Sequence, residues 1–255
     1  MQITAGVAFA ALVAGLAYRT RALSAGGAAI AFAVGAIVFG SGGWRAAAVL
    51  FAFFIPSTVL THIGRTRKRA IAPAHGEVSR NGWQVLANGG VAAMCALLAA
   101  RGNTGFAAAF AGAFAAASAD TWGTEIGTLS RTGPVSILTL RTLPAGRSGG
   151  VTSLGLIATL AGALCVAATA MLVGIAPLWP VAAGGVVGAV FDSILGAGVQ
   201  ALRWCEVCAC ECETRHHDCG ATTVLRRGVE WIENDAVNFA ATLCGALVAA
   251  LASRL

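Results

Sequence analysis

The stretch "FAAAFAGAFAAASADTWGTEIG", residues 106–127, decides what kind of protein this is. Its first part is an alanine-rich apolar run suited to lipid. Its last part, "SADTWGTEIG", carries two carboxylates, Asp120 and Glu125. An ionisable group in a membrane segment is costly and marks function by default. On an ideal helix, residues five apart differ by about 140° and do not share a face. Asp120 and Glu125 converge only if the helix ends or unwinds between them, which Gly123 permits. Gly123 and Gly127 also form a G-x-x-x-G pair, a spacing that favours close helix packing.

The rest of the chain agrees with that reading. Its 255 residues are 57% hydrophobic and only 11% charged, with a mean hydropathy of +0.78. A soluble domain is about one-quarter charged. The apolar runs approach the roughly 20 residues of a spanning helix, and they lack the alternation of barrel strands. The fold class is therefore an all-α, polytopic membrane helix bundle, a single transmembrane domain over residues 1–255. Spans fall at about 1–18, 23–40, 44–63, 84–100, 104–120, 151–173, 178–202 and 230–252. The fifth is the weakest, so seven spans are the alternative to eight. The first run has no basic n-region and reads as a retained helix. Short or broken helices are expected at one face.

The positive charges orient the bundle. One side carries Arg19 and Arg21; Arg65, Arg67, Lys68, Arg69 and Arg80; Arg131, Arg141 and Arg147; and Arg203, Arg215, Arg226 and Arg227, which is 14 of the 17 Lys and Arg. The other side has Arg45, Arg101 and Arg254. The positive-inside rule makes the first side cytoplasmic, as in a bacterial-type inner membrane, with both termini outside for eight spans. The net charge of +6 is spread over four loops. It suits anionic headgroups and phosphate ligands and not nucleic acid.

Of eleven acidic residues, six fall at or near the cytoplasmic ends of spans: Asp120, Glu125, Asp192, Glu230, Glu233 and Asp235. In "GGVVGAVFDSILGAG", Gly188, Asp192 and Gly196 are four apart and share one face. A glycine-lined face packs on another helix, so Asp192 points into the bundle, with Ser193 beside it. In "GVEWIENDAVNFA", Glu230, Asn234 and Asn238 recur every fourth residue, and Asp235 sits three before Asn238. Hard cations take carboxylate and amide oxygens of this kind; helix capping by Asn234 or Asp235 is the other use. In "RNGWQVLANGG", Gln84 and Asn88 are one turn apart, just after Arg80 and Asn81, and an interhelical hydrogen bond is their plain reading.

Two loops carry chemistry. "GRSGG", residues 146–150, opens a helix. Glycines let the backbone approach a ligand, and a helix N-terminus offers N–H groups to phosphate. Gly146, Arg147, Ser148, Gly149 and Gly150 are thus a candidate phosphate loop, although no Walker A lysine is present and a plain turn reads equally well. "RWCEVCACECETRHHDCG", within a Cys/His-rich loop at 203–228, holds five of the eight cysteines. C-x-x-C followed by His and Cys suggests structural zinc on Cys205, Cys208, His216 or His217, and Cys219. Reduced free thiols or a disulfide are the alternatives. Cys95, Cys165 and Cys244 lie in spans as small packing residues.

"SRNGWQVLANGG", "ASADTWGTEIG", "LPAGRSGGVTSLG", "GAVFDSILGA" and "WIENDAVNF", in this order, resemble the integral membrane family of the plant phytyl-phosphate kinases and animal transmembrane protein nineteen, formerly a domain of unknown function. The resemblance covers nearly the whole chain. It implies phosphorylation of an isoprenyl (phytyl-like) monophosphate to the diphosphate by CTP or another nucleoside triphosphate. The family usually has threonine before the serine of the glycine loop, where this chain has Arg147.

Phosphoryl transfer needs positioning, a divalent metal and cationic clamps. Asp120, Glu125, Asp192 and Asp235 are the candidate Mg²⁺ ligands and catalytic acids, with Asn88, Asn234 and Asn238 as neutral ligands. Arg147, Arg141, Arg131 and Arg80 are the candidate phosphate clamps. An acceptor that is already a phosphate needs no strong base, which suits a site without a placed histidine, His62 and His75 lying in the cytoplasmic loop after the third span and its edge. The rival reading is a transporter or carrier of a lipid phosphate or ion that uses the same carboxylates as a relay. A relay places charge near the midplane, whereas these acids gather at one face.

Overall fold

The computed structural model describes residues 2–64, 66, 68 and 79–255. Arg65, Arg67, Arg69 and His75 lie outside those residues. Among the described residues there are seven helices: α1 (Gln2–Arg19), α2 (Ala25–His62), α3 (Gly82–Ala99), α4 (Thr104–Gly127), α5 (Ser153–Leu172), α6 (Leu178–Gly198) and α7 (Asn234–Ala252). Five of them, α2, α3, α5, α6 and α7, are long and apolar enough to cross a membrane. The chain is an integral membrane helix bundle.

The expected second and third spans are joined in α2. Gly43 takes φ 60° and ψ −151°, outside the helical region, so the helix breaks there. Backbone bonds link Ala22 and Ser24 to Arg80, each at 3.0 Å, and the Arg80 guanidinium lies 6.0 Å from the Phe53 ring centroid. A straight helix would carry Phe53 roughly 40 Å from Ser24 at 1.5 Å per residue. The arms 25–42 and 44–62 therefore fold back on each other, and the eight helical segments alternate direction.

Their starts are fixed by side chains. Ser24 accepts from the Gly27 N–H, Asn103 from Gly105 and Thr152 from Gly155. Asn81 and Gln84 form a reciprocal capping box, satisfying N–H groups that a helix start leaves unpaired. Asn81 and Gln84 thus both serve the N-terminus of α3.

The fifth span, weakest in the sequence, is the centre of the bundle. Every residue of α4 from Ala108 to Ala119 is buried. Lipid supplies no hydrophobic drive between helices, so tight packing of small residues does the work. A Cβ on Gly112 would meet Ala249 and the Gly245 carbonyl, one on Gly185 Ala115 and Ala163, and one on Gly162 the backbone at Ser118 and Ala119. Phe114 fills the remaining volume, stacked on Phe53 with centroids 5.6 Å apart.

The helix is also continuous where convergence of Asp120 and Glu125 would need a break. α4 runs through Gly123 to Gly127. These glycines form a seam, Gly123 against Thr159 and the Gly155 carbonyl, and Gly127 against Gly155. The G-x-x-x-G spacing serves packing, and no unwinding brings Asp120 and Glu125 together.

The bundle end that carries Arg80 also carries the two long connections. In the first, β1 (Val135–Ser136) pairs antiparallel with β2 (Gly150–Val151). In the second, β3 (Leu202–Cys205) is central in an antiparallel sheet with β4 (Cys210–Cys212) and β5 (Val224–Arg227). This sheet shortens the seventh expected span to Gly198 and delays the eighth to Asn234. At the opposite end, Ser41, Arg45, Ala99, Ala100 and Gly174 line one cleft.

Candidate active site

Helix register builds the acidic centre. Gly185 faces Ala115, and Gly188 faces both Ala116 and the Ala241 carbonyl. One turn further, the same register carries Asp192 on α6 to the level of Asp120 on α4 and Asn238 on α7. The carboxylates of Asp120 and Glu213 are the electrostatic neighbours of Asp192. Asp192 Oδ2 is shielded from solvent and has no hydrogen-bond partner among the described residues. A buried carboxylate oxygen left so costs stability unless a cation or donor fills the gap.

Glu125 turns elsewhere. Its Oε2 pairs with Lys68 Nζ at 2.5 Å, both side chains largely buried, and Lys68 also donates to the Leu60 carbonyl at 2.6 Å. Arg80 lies within electrostatic reach of both Glu125 and Asp120. The expected four-acid metal set is thus divided. Asp120 and Asp192 face each other, whereas Glu125 ties the end of α4 to Lys68 after α2. Asp235 lies in the first turn of α7. Among the described residues no three of these carboxylates bring their oxygens into one tight cluster. Mg²⁺ is commonly held by one or two carboxylates plus substrate phosphate oxygens, so the orphaned oxygen of Asp192 opposite Asp120 fits that ion.

The glycine loop lies against the C-terminal end of α6. Gly149 has φ +78°, and a Cβ there would collide with the backbone of Ala197; only glycine suits that conformation and that gap. Ser148 holds an anion already. Its N–H donates to Glu213 Oε1 at 2.9 Å and its hydroxyl to Oε2 at 2.7 Å. Gln200 Nε2 donates to Ser148 Oγ at 3.0 Å and to Glu213 Oε2 at 2.9 Å. Arg147 pairs with Glu211 at 3.0 Å.

The other expected residues take varied places. Asn88 donates to the Gln84 carbonyl at 2.9 Å. Arg80, Gln84 and Asn88 form the polar end of an apolar cleft lined by Leu23, Ala31, Val34, Phe39, Leu50 and Phe54 among others. Ser193 follows Asp192, half-buried; Asn234 is exposed at the start of α7 and Asn238 is half-buried one turn on. Arg131 and Arg141 are exposed. The residue before Asn234, Glu233, occupies the cap position of α7 without a side-chain capping bond and instead pairs with Arg215 at 2.5 Å.

In the cysteine loop, ligand atoms of Cys205, Cys208, His217 and Cys219 all lie within 4.8 Å of one another. The histidine is His217. His216 is excluded from the cluster because it pairs as an isolated bridge with Thr222, and neighbouring residues on extended backbone point opposite ways. A hydrogen bond from the Ala221 backbone lowers the Cys219 thiol to about 6, which favours the thiolate.

Three participants carried no role in the sequence: Glu213, Gln200 and Lys68. For Glu213 a signal existed. "CECE" alternates, and on a strand Glu211 and Glu213 share one face. Gln200 stands alone in its segment and Lys68 is one of the run Arg65, Arg67, Lys68 and Arg69, so only the tertiary fold singles them out and brings them to partners.

A family model described as integral membrane protein DUF92 matches residues 8–246. The chain is 30% identical to Protein PGR of Arabidopsis thaliana, over 97% of this chain and 94% of that protein. It is 27% identical to an uncharacterized membrane protein of Methanocaldococcus jannaschii, over 82% of this chain and 76% of that one. An uncharacterized membrane protein of Synechocystis is 26% identical over 86% and 78% of the two chains. No solved structure matches.

Proposed function

We propose a function for this chain, which belongs to the DUF92 family of integral membrane proteins: it is a membrane-embedded phosphotransferase that converts an isoprenyl monophosphate to the diphosphate with a nucleoside triphosphate such as CTP. One observation carries the reading. An apolar cleft within the bundle ends at Arg80, Gln84 and Asn88, and Arg80 is the electrostatic neighbour of Asp120. A slot for a hydrocarbon tail thus ends at a cation that neighbours Asp120.

In this reading the tail lies along α1, α2 and α3 with its phosphate at Arg80. The nucleotide enters from the basic end, which faces the cytoplasm by the positive-inside rule. Its phosphates take the N–H and hydroxyl of Ser148, with Arg147 as a cationic clamp. An acceptor phosphate oxygen attacks the γ-phosphorus, the bond to the β-phosphate oxygen breaks, and nucleoside diphosphate leaves. Asp120 and Asp192 would hold Mg²⁺, which when bound neutralises charge on the phosphate oxygens. The chain's own contribution is alignment and charge placement, the main demands of this chemistry. Asn238 would supply a neutral oxygen at the same level, and Arg80 is the cationic electrostatic neighbour of Asp120.

The test is direct. Purified protein is incubated with Mg-CTP or Mg-ATP and a panel of isoprenyl monophosphates, and products are read by mass spectrometry. Isoprenyl diphosphate is expected. Absence of both product and nucleotide binding would overturn the reading in favour of a transporter.

A further inference from the structure

We propose that Cys205, Cys208, His217 and Cys219 form a structural zinc site that locks the β3–β4 hairpin against the glycine loop. The site goes beyond the phosphotransferase reading and does not depend on it. Its residues come from the end of β3, the turn after it, and the segment before β5.

The geometry matches the ion. Cys205 Sγ and Cys219 Sγ are 3.6 Å apart, and His217 Nδ1 is 3.3 Å from Cys219 Sγ. A tetrahedron with Zn–S of ~2.3 Å and Zn–N of ~2.0 Å has S···S edges of about 3.8 Å and S···N edges of about 3.5 Å. All four ligand atoms lie within 4.8 Å of one another, so one centre reaches each. The Cys208 N–H donates to Cys205 Sγ at 3.4 Å, a bond that stabilises thiolate charge at the first ligand of a C-x-x-C turn. Cys205 is wholly buried and Cys208 and Cys219 are exposed, so the ion reaches the site from solvent. Four protein ligands close the coordination shell, which is the structural and not the catalytic form of zinc site.

The position of the ligands gives the ion its task. Cys205 and Cys219 bracket the segment that carries Glu211 and Glu213. These two acids hold Arg147 and Ser148. The sheet itself is small: β4 pairs with β3 over three residues. An ion closing the bracket fixes the hairpin and, through it, the loop at 146–150.

Metal content of the full-length protein, purified reduced in detergent, tests this. The wild type is expected to carry one zinc per chain, as is His216→Ala. His217→Ala is expected to lose most of its zinc to a mild chelator wash, and His217→Cys, which restores a fourth ligand, to keep it. Cobalt substitution of the wild type should give the intense visible bands of a tetrahedral thiolate site. Stripping the zinc should speed amide hydrogen exchange both at 205–219 and at 146–150. Substoichiometric zinc in the wild type, a Cys205–Cys219 disulfide in freshly reduced protein, or loss of zinc in His216→Ala but not in His217→Ala would overturn the site. Unchanged exchange at 146–150 would overturn its grip on the loop. None of these readouts uses phosphotransfer, so failure here is distinguishable from failure of the enzymatic reading.

Discussion

The carboxylate of Glu213 accepts hydrogen bonds from both the N–H and the hydroxyl of Ser148, at 2.9 and 2.7 Å. A carboxylate is thus seated where the loop would take a phosphate oxygen. A ligand phosphate must displace it. Hydrogen bonds to charged groups are worth ~1.5–3 kcal/mol. Glu213→Gln keeps the shape but weakens the internal anion, so nucleotide binding should tighten by about tenfold, one factor of ten being ~1.4 kcal/mol. Binding of a fluorescent nucleotide to the two proteins measures it, and unchanged or weaker affinity would show that nucleotide does not use Ser148.

Asp192 is a different kind of acid, since its Oδ2 is buried and unpartnered. A residue kept at a cost to stability is a mark of function. Asp192→Asn removes a buried charge, so thermal stability in detergent should hold or rise. Phosphotransfer should fall ~100-fold or more, the scale of losing an electrostatic contact to the transferring group. Asp120→Asn should lose activity similarly. Full activity in both folded variants would remove the acid pair from the mechanism.

How much of this was legible beforehand follows from what each feature depends on. Span number and the basic end were readable because hydropathy and charge are local properties. The face of Asp192 was readable because Gly188 and Gly196 mark it by spacing alone. The pairing of Asp120 with Asp192 rests on helix register, which is set by where Gly185 and Gly188 meet α4. The surroundings of Glu125 were not readable, because Gly123 and Gly127 suit a helix break and a packed seam equally well as letters, and only the contact with Gly155 and Thr159 decides. His216 and His217 could not be told apart until the backbone set which one faces the cysteines.

Glu125 and Lys68 give a prediction of structural type. Their ion pair is largely buried, and breaking such a pair from one side costs ~3–5 kcal/mol because the other charge is left unpaired. Glu125→Gln should therefore lower the unfolding temperature clearly. Lys68→Met in the same chain should restore much of it, since the orphaned cation is gone. Activity of the folded fraction should stay near wild type. A large fall in kcat at unchanged stability would return Glu125 to the active site.

The apolar cleft makes the last prediction, on chain length. Leu23, just before α2, and Phe39, within it, both line it, and α2 rises about 21 Å from Ala25 to Phe39. Ala31 lines it midway, one small residue on the wall. Ala31→Phe should block the half of the cleft beyond it while leaving Arg80, at the level of Ser24, untouched. The far end is closed by aromatic rings, with Phe9 packed on Phe39 at 6.2 Å and on Phe51 at 5.6 Å. Competition between geranyl and phytyl monophosphates reads the effect as a ratio of kcat/KM. The ratio should shift toward the shorter substrate by about tenfold or more, the scale of apolar discrimination in a pocket. Phe39→Ala should move it the other way. Equal losses on both substrates would mean that the tail lies elsewhere, against the outer face of the bundle and not inside it.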